Sequence, residues 1–407
     1  MATGGSTSLM RAHRADYALV LVTFILLSIG LIIMYSISPI QSQKLLGNAS
    51  RNFYFYNHLV NVILGIGVWV IASHINYHKW REWAPFLMAV AVITLLILLV
   101  PGLSSAKNGA TRWLKLGPAS FQPAELMKLA LVLYLARWFD QRGDDITSFW
   151  DGVVPFAIIL GFLGVIIVIF QRDMGTMLVL GAIAVGMFYI AGIRLTHLAV
   201  LMAAAVALGV ATIVAFPHRV ERLLTFLKPG QADSSTGYHI HQALIGVGSG
   251  GIFGLGLGKS IQIYGYLPEA PNDSIFAIIA EEFGLIGSVL LIVLFGILVY
   301  RAFKIARSAP DAFGRLVATG IALWMMFQAV INIGAMLSLI PLTGIPLPFI
   351  SYGGSSMLMT LFAIGILVNI SKYTTKEVGD ANSSERRRDG WSYFANTRNS
   401  RRLKATN

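Results

Sequence analysis

The chain has 407 residues, of which 56% are hydrophobic and 12% charged, about half the charged fraction of an ordinary soluble domain. That composition and a positive mean hydropathy exclude a water-soluble fold, because no single soluble core could hide so much apolar surface. The chain has no cysteine, which excludes disulfide frameworks, cysteine metal sites and thiol nucleophiles. A net charge of +12 reads as membrane topology, with no nucleic acid as partner.

Hydrocarbon about 30 Å thick requires roughly 20 apolar residues per helix. Ten such runs follow one another, at residues 17–37, 57–75, 84–103, 124–139, 153–170, 174–192, 195–216, 275–302, 312–340 and 347–371. The first comes after Arg11 and Arg14, is longer than a signal-peptide apolar region and is followed by Pro39 without a small-residue cleavage site, so it is expected to be a retained signal anchor. With the amino terminus inside, roughly 20 Lys and Arg face the cytoplasm and roughly 10 face out, as the positive-inside rule requires. The expected fold is an all-α polytopic membrane protein of about ten transmembrane helices. Both termini are cytoplasmic, and a large structured extracytoplasmic loop joins helices 7 and 8. Residues 1–16 form a cytoplasmic tail, 17–372 the membrane domain with its external loop at 217–274, and 373–407 a basic tail with Arg386, Arg387, Arg388, Arg401 and Arg402. The last segment has little apolar pattern and is expected to be disordered, with membrane lipid as a possible contact for its charges.

Ionisable residues within spans are costly and informative. Under this topology they gather towards the outer face. In KNGATRWLKLGPASFQPAELMK, Pro123 suits a first helical turn and Glu125 the positive helix end. Lys128 does not suit that end, and needs Glu125 at the i, i+3 spacing as partner. The segment is then either a helix-start salt bridge with Trp113 anchored at the interface, or an anion site. In the second case Arg112 and Lys128 face a phosphate and Trp113 covers an amphipathic ligand.

The loop from Pro217 to Ser274 is too long for an ordinary connection. Val220, Leu223, Leu224 and Leu227, with Arg219, Glu221, Arg222 and Lys228 around them, follow an interfacial amphipathic helix. The run GVGSGGIFGLGLGKS ends like a nucleotide P-loop, but Phe253 stands where the first glycine must be and no strand precedes it. Its glycines are expected to turn tightly or admit a ligand to the backbone. His239 and His241 lack helical metal-ligand spacing and a third ligand. In YLPEAPNDSIFAIIAEEFG, Asp273 or Ser274 could cap the eighth span. Four carboxylates in this stretch, Glu269, Asp273, Glu281 and Glu282, are more than capping needs and suggest an acidic stripe aimed into the bundle or a wet cavity.

GATRWL, FQPAELMK, QRDMGT, GYHIHQALIGVGSGG, LPEAPNDSIFAIIAEE and PLPFISYGGSS occur in that order. On these motifs the chain resembles the SEDS proteins (shape, elongation, division and sporulation) of bacterial cell-wall synthesis, from the first span to Lys372. The GLGLGKS run before YLPEA is more similar to the division branch, FtsW, than to the elongation branch, RodA. The resemblance implies a peptidoglycan glycosyltransferase at the outer face of the cytoplasmic membrane, at the division septum for that branch. Its substrate would be lipid II, the undecaprenyl-diphosphate-linked disaccharide peptide. Its partners would be a class B penicillin-binding protein transpeptidase and other division or elongation membrane proteins. The resemblance also implies that Asp273 is catalytic and that Arg112, Trp113, Glu125, Lys128, Asp173 and Glu269 bind substrate. The chain departs from the family where Pro271, Asn272 and Ser274 surround Asp273, and where Gln171-Arg172-Asp173 replaces Gln-Pro-Asp.

Converting an α-linked diphosphate into a β-linked glycan inverts the anomeric centre, so one displacement suffices, with Asp273 as base towards the acceptor 4-hydroxyl. Positive charge for the leaving diphosphate would come from Arg112, Lys128 or a divalent cation, Mg²⁺ or Mn²⁺, held partly by carboxylates. No other cofactor is implied. Two rival functions use the same features: a lipid II flippase, and a catalytically idle scaffold of the wall-synthesis complex.

Overall fold

The computed structural model describes residues 15–46, 52–100, 104–107, 110–117, 119–227 and 235–373. The tail beyond residue 373, Lys228 and the first 14 residues lie outside them, so the expectations placed there are not addressed. Twelve α-helices and a small sheet make up the described chain. Eight helices or helical runs are long and apolar enough to cross a membrane. They are α1 (Tyr17–Leu46), α2 (Phe53–His74), α3 (Tyr77–Ile97), the run Phe149–Phe170 containing α5 (Val154–Gly164), α7 (Leu195–Val214), α10 (Ile275–Arg307), α11 (Ala312–Met336) and α12 (Gly354–Ser371). Two further helices lie where the remaining two crossings were expected. α6 (Met174–Ile190) is apolar but shorter. α4 (Pro123–Arg142) carries Glu125 and Lys128 near its start and Arg137, Asp140 and Arg142 near its end, with a buried apolar middle. α8 (Pro217–Leu227) and α9 (Ser235–Ser249) fill the long loop between α7 and α10.

The bundle closes on itself at the end where the described chain begins and finishes. The Asp16 amide donates to Ser371 Oγ at 3.1 Å, and Arg301 near the end of α10 pairs with the Asp16 carboxylate. At the same end His78 lies 3.0 Å from Asp311 and Arg81 2.6 Å from Asp140. α4, α11 and α12 are largely buried. Phe139, Phe156 and Phe188 stack where α4, α5 and α6 meet. Without a hydrophobic driving force between helices in lipid, small residues let backbones approach. Gly365 does this on α12, where an added Cβ would meet the backbone of Trp69 on α2.

Three features differ from the sequence reading. Residues 104–121 hold an antiparallel sheet, β1 (Ser104–Lys107), β2 (Ala110–Leu116) and β3 (Ala119–Phe121), in the order β1-β2-β3. The stretch was too short and too interrupted by glycine to read as strands. The ninth apolar run stops earlier, and the tenth starts later, than expected. α11 ends at Met336 and α12 begins at Gly354, so PLTGIPLPFISYG is a non-helical segment at the end of the bundle, as its three prolines demand. The eighth span is broken, since Gly284 has φ +66 inside α10. The glycine-rich loop fills the break: the Leu285 amide donates to Gly251 O at 2.9 Å, Leu255 N to Glu281 O at 2.9 Å and Gly256 N to Glu282 O at 3.0 Å. Irregular backbone in a membrane protein is tolerated where protein satisfies its polar groups.

Candidate functional site

The sheet, the Gln171-Arg172-Asp173 corner, α8, α9 and the segments before α10 and α12 all lie at one end of the bundle. Arg112 is the organising cation there. In the ladder, Ser105 pairs with Trp113 but Ala106 with Thr111, leaving Arg112 as the extra residue of a β-bulge, a device that re-aims a side chain. Its Nη2 donates to Arg172 O at 2.8 Å and its Nε lies 3.5 Å from Asp173 Oδ2. Arg172 takes a left-handed φ of +55, which bends the corner so that its carbonyl reaches Arg112. Asp173 is buried and N-caps α6, accepting from the Thr176 amide at 3.1 Å and the Thr176 hydroxyl at 2.8 Å. Asp173 therefore holds Arg112 against the start of α6. Trp113 follows on β2, half-buried.

Asp273 approaches from the start of α10 and is half-buried. A Cβ built on Gly344 (φ +71) would stand 3.6 Å from Asp273 Oδ2 and 3.8 Å from Arg112 Nη1. The glycine thus keeps the floor between carboxylate and guanidinium clear of any side chain. Arg222 on α8 is exposed and completes the electrostatic frame. Desolvation lowers its pKa from the ordinary arginine value and repulsion from Arg112 adds to this, while Asp273, Asp173 and Glu221 pull it back up. Two arginines and two aspartates therefore share one local field. Glu269, with a left-handed φ of +48, bonds the Asn272 side chain and shapes the turn before Asp273. Among the described residues, no group of three or more His, Asp or Glu is placed to hold a metal ion.

Glu125 and Lys128 form a pair, as their spacing requires, but away from the arginines. Lys128 is 2% exposed and Glu125 2%. Lys128 Nζ lies 2.8 Å from Glu125 Oε1 and donates to Gln328 Oε1 at 2.7 Å, above the Trp324 ring. Two of its three donors go to buried partners and the side chain is buried, which favours the salt-bridge alternative over a phosphate contact. The pair is coupled to the site indirectly: Gln328 Nε2 donates to Pro346 O at 2.9 Å, and Asn332 Nδ2 donates at 2.7 Å both to Asp273 O and to Ile345 O. These two amides, one turn apart on α11, fasten Asp273 to the segment carrying Gly344. The sequence reading passed over both, although polar amides at i and i+4 in the otherwise apolar ALWMMFQAVINIG are the signal that would have found them.

Glu281 and Glu282 do not line a wet cavity. Glu281 accepts from the Ser260 hydroxyl and from the amides of Ile261 at 3.0 Å and Gln262 at 3.3 Å. Glu282 accepts from Ser36 Oγ at 2.7 Å and Gly258 N at 3.0 Å. The acidic stripe is the mould on which the glycine-rich loop turns. α8 forms as an amphipathic helix with Leu224 and Leu227 exposed. Its buried Arg219 donates to Thr212 O at 3.2 Å and lies against the Phe216 ring.

Residues 17–376 match the family model of FtsW, RodA and SpoVE, described as cell cycle protein. The chain belongs to the FtsW/RodA/SpoVE family. The stage V sporulation protein E of Bacillus subtilis (strain 168) is 38% identical over 359 residues, 88% of this chain and 97% of that protein. The probable peptidoglycan glycosyltransferase FtsW of Trichlorobacter lovleyi is 38% identical over 362 residues, 89% of this chain and 94% of that one. Among solved structures, the rod shape determining protein RodA of Thermus thermophilus superposes with a TM-score of 0.64 at 27% identity, covering 89% of this chain and 98% of RodA. A chain from the structural study of polymerization and crosslinking by a peptidoglycan synthase complex gives a TM-score of 0.70 at 27% identity, covering 88% and 97%. The resemblance drawn from six short motifs thus holds across the membrane domain, and in this FtsW/RodA/SpoVE family member four of those motifs meet around Arg112 and Asp273.

Proposed function

We propose that this chain is a peptidoglycan glycosyltransferase that polymerises lipid II at the outer face of the cytoplasmic membrane, with Asp273 as general base. The observation that carries the reading is the convergence of a half-buried carboxylate, Asp273, with Arg112 across the bare floor of Gly344. Membership of a family with relatives named peptidoglycan glycosyltransferase supplies the substrate class. The opposite end of the bundle carries Arg81, Arg137, Arg301 and Lys372, which supports a cytoplasmic placement for that end.

In this reading Arg112 and Arg222 face the diphosphate of the donor and stabilise the charge that grows on it as the glycosidic bond breaks. Asp273, on the other side of the anomeric centre, takes the proton of the acceptor 4-hydroxyl. One in-line displacement inverts the α-linkage to β, and a positioned base of this kind is worth about 10² to 10⁴-fold in rate. A divalent cation, if used, would draw its remaining ligands from the diphosphate, because Asp173 is already committed to Thr176 and Arg112. A class B penicillin-binding protein is the proposed partner, supported by similarity to a chain of a peptidoglycan synthase complex. A role in division is proposed on the likeness to FtsW proteins.

The test is the purified chain in liposomes with fluorescent lipid II. Glycan strands are expected. Movement of lipid II between leaflets without polymer would overturn the reading in favour of a transporter, and inertness in both assays would favour a scaffold.

A further inference from the structure

We propose that His239 and Ser274 form a positioning couple that fixes which oxygen of Asp273 acts as the base, an inference resting on the reading of Asp273 as the base of glycosyl transfer. His239 lies on α9 and Ser274 at the N-cap of α10, and His239 Nε2 is 2.6 Å from Ser274 Oγ. Serine at an N-cap ordinarily spends its side-chain oxygen on the first helical amides. Ser274 makes no such cap bond. Its hydroxyl has two other acceptors in reach, Pro268 O at 3.0 Å and Asp273 Oδ1 at 3.4 Å.

A hydroxyl has one hydrogen and can accept through its lone pairs. If His239 donates from Nε2, Ser274 remains free to donate onward to Pro268 O or Asp273 Oδ1. If His239 instead accepts there, the serine hydrogen is used up and both oxygens face a lone pair. The network therefore assigns the Nε2–H tautomer. Burial, the dominant cause, lowers the His239 pKa to about 4, with Glu269 raising it and Arg222 lowering it, so the ring is neutral at physiological pH. A Ser–His pair this close also suggests a nucleophile, but Ser274 is 0% exposed and no substrate atom could reach it. With the single serine hydrogen on Pro268 O, the nearer acceptor, the couple fixes the turn that carries Asp273 and sets which side of it the carboxylate's Oδ1 faces. Oδ1 is turned towards Ser274 Oγ, while Oδ2 stands over Gly344 beside Arg112. Oδ2 is then the oxygen presented to the acceptor hydroxyl.

The experiment compares steady-state lipid II polymerisation by the full-length chain in liposomes for wild type, His239→Ala, Ser274→Ala, the double variant and His239→Gln. The glutamine amide can place a donor where Nε2–H stood. Misplacement of a reacting group costs up to about 100-fold, so each alanine variant is expected to lose roughly ten- to a hundred-fold in kcat, with KM held within about twofold. The double variant should fall no further than the worse single one, because the two act as a unit, and His239→Gln should recover most of kcat. Multiplying losses, a change confined to KM, or wild-type kcat in Ser274→Ala would overturn the couple. If His239→Ala does not fold, Ser274→Ala and His239→Gln decide the matter. Asp273→Asn in the same assay separates the two layers. If it polymerises normally, the base assignment itself fails, whereas an inactive Asp273→Asn beside fully active His239→Ala and Ser274→Ala removes the couple alone.

Discussion

Replacing Lys128 by methionine separates a buried tie from a substrate contact. The side chain is 2% exposed and its partners are the Glu125 carboxylate and Gln328 Oε1. Methionine fills a similar volume but leaves Glu125, itself 2% exposed, as an unpaired charge. Removing one partner of a buried pair costs about 3–5 kcal/mol. The loss at Gln328 is smaller, because the Trp324 indole still donates to Gln328 Oε1 at 2.6 Å, and a hydrogen bond from a charged donor is worth about 1.5–3 kcal/mol net. Lys128→Met should therefore melt well below wild type in detergent micelles. The double variant Glu125→Leu, Lys128→Met removes both charges and should regain most of that loss, since a buried pair exchanged for apolar groups is often neutral. Its affinity for lipid II should stay within about threefold of wild type. A Lys128→Met protein of undiminished stability that no longer binds lipid II would refute the reasoning and return Lys128 to the phosphate.

Other consequences can be measured separately. Arg112→Ala should weaken lipid II binding roughly tenfold or more, as expected for a charge-assisted contact, while Arg112→Lys should recover it only in part because the bond to Arg172 O needs a planar fork; equal binding by all three proteins would contradict the placement. Asn332→Leu strands the carbonyls of Asp273 and Ile345 and should lower turnover by up to about 100-fold with little change in KM, read by initial rates. At Gly254, φ is +80 and a Cβ would collide with the Glu282 carbonyl, so Gly254→Ala should reduce the folded yield in size-exclusion profiles. His239 has a folded pKa of about 4 against 6.5. The unfolded chain binds the extra proton between those values, so this contribution to stability is complete above about pH 6.5 and is lost as pH falls towards 4. Melting temperatures of His239→Gln should fall less steeply than those of wild type over that window.

The membrane fold was legible because its signal is long and redundant. Each apolar run carries its own statement, and all ten expected crossings find a helix. What the sequence hid depends on backbone pairing across distance. The β-bulge at Arg112 exists only because Ser105 faces Trp113 and Ala106 faces Thr111. The break at Gly284 is stable only because Gly251 and Ile252 lend it their carbonyls. The family motifs pointed to Asp273 and Arg112, which do face the same space over Gly344. Motif membership does not show which residues are already bonded inside the protein, as Asp173 is to Thr176 and Lys128 to Glu125 and Gln328. Arg222 was read as one face of an interfacial helix, because nothing in its local sequence reveals that it shares a local field with Arg112, Asp173 and Asp273.

The most direct measurement is single-turnover glycan formation by Asp273→Asn with saturating lipid II in liposomes, alongside a binding isotherm for the same protein. The asparagine keeps the shape of the side chain and removes the base. The account predicts bound lipid II and a rate lower by about 10² to 10⁴-fold. Glycan chains formed at the wild-type rate and to the wild-type length would contradict it.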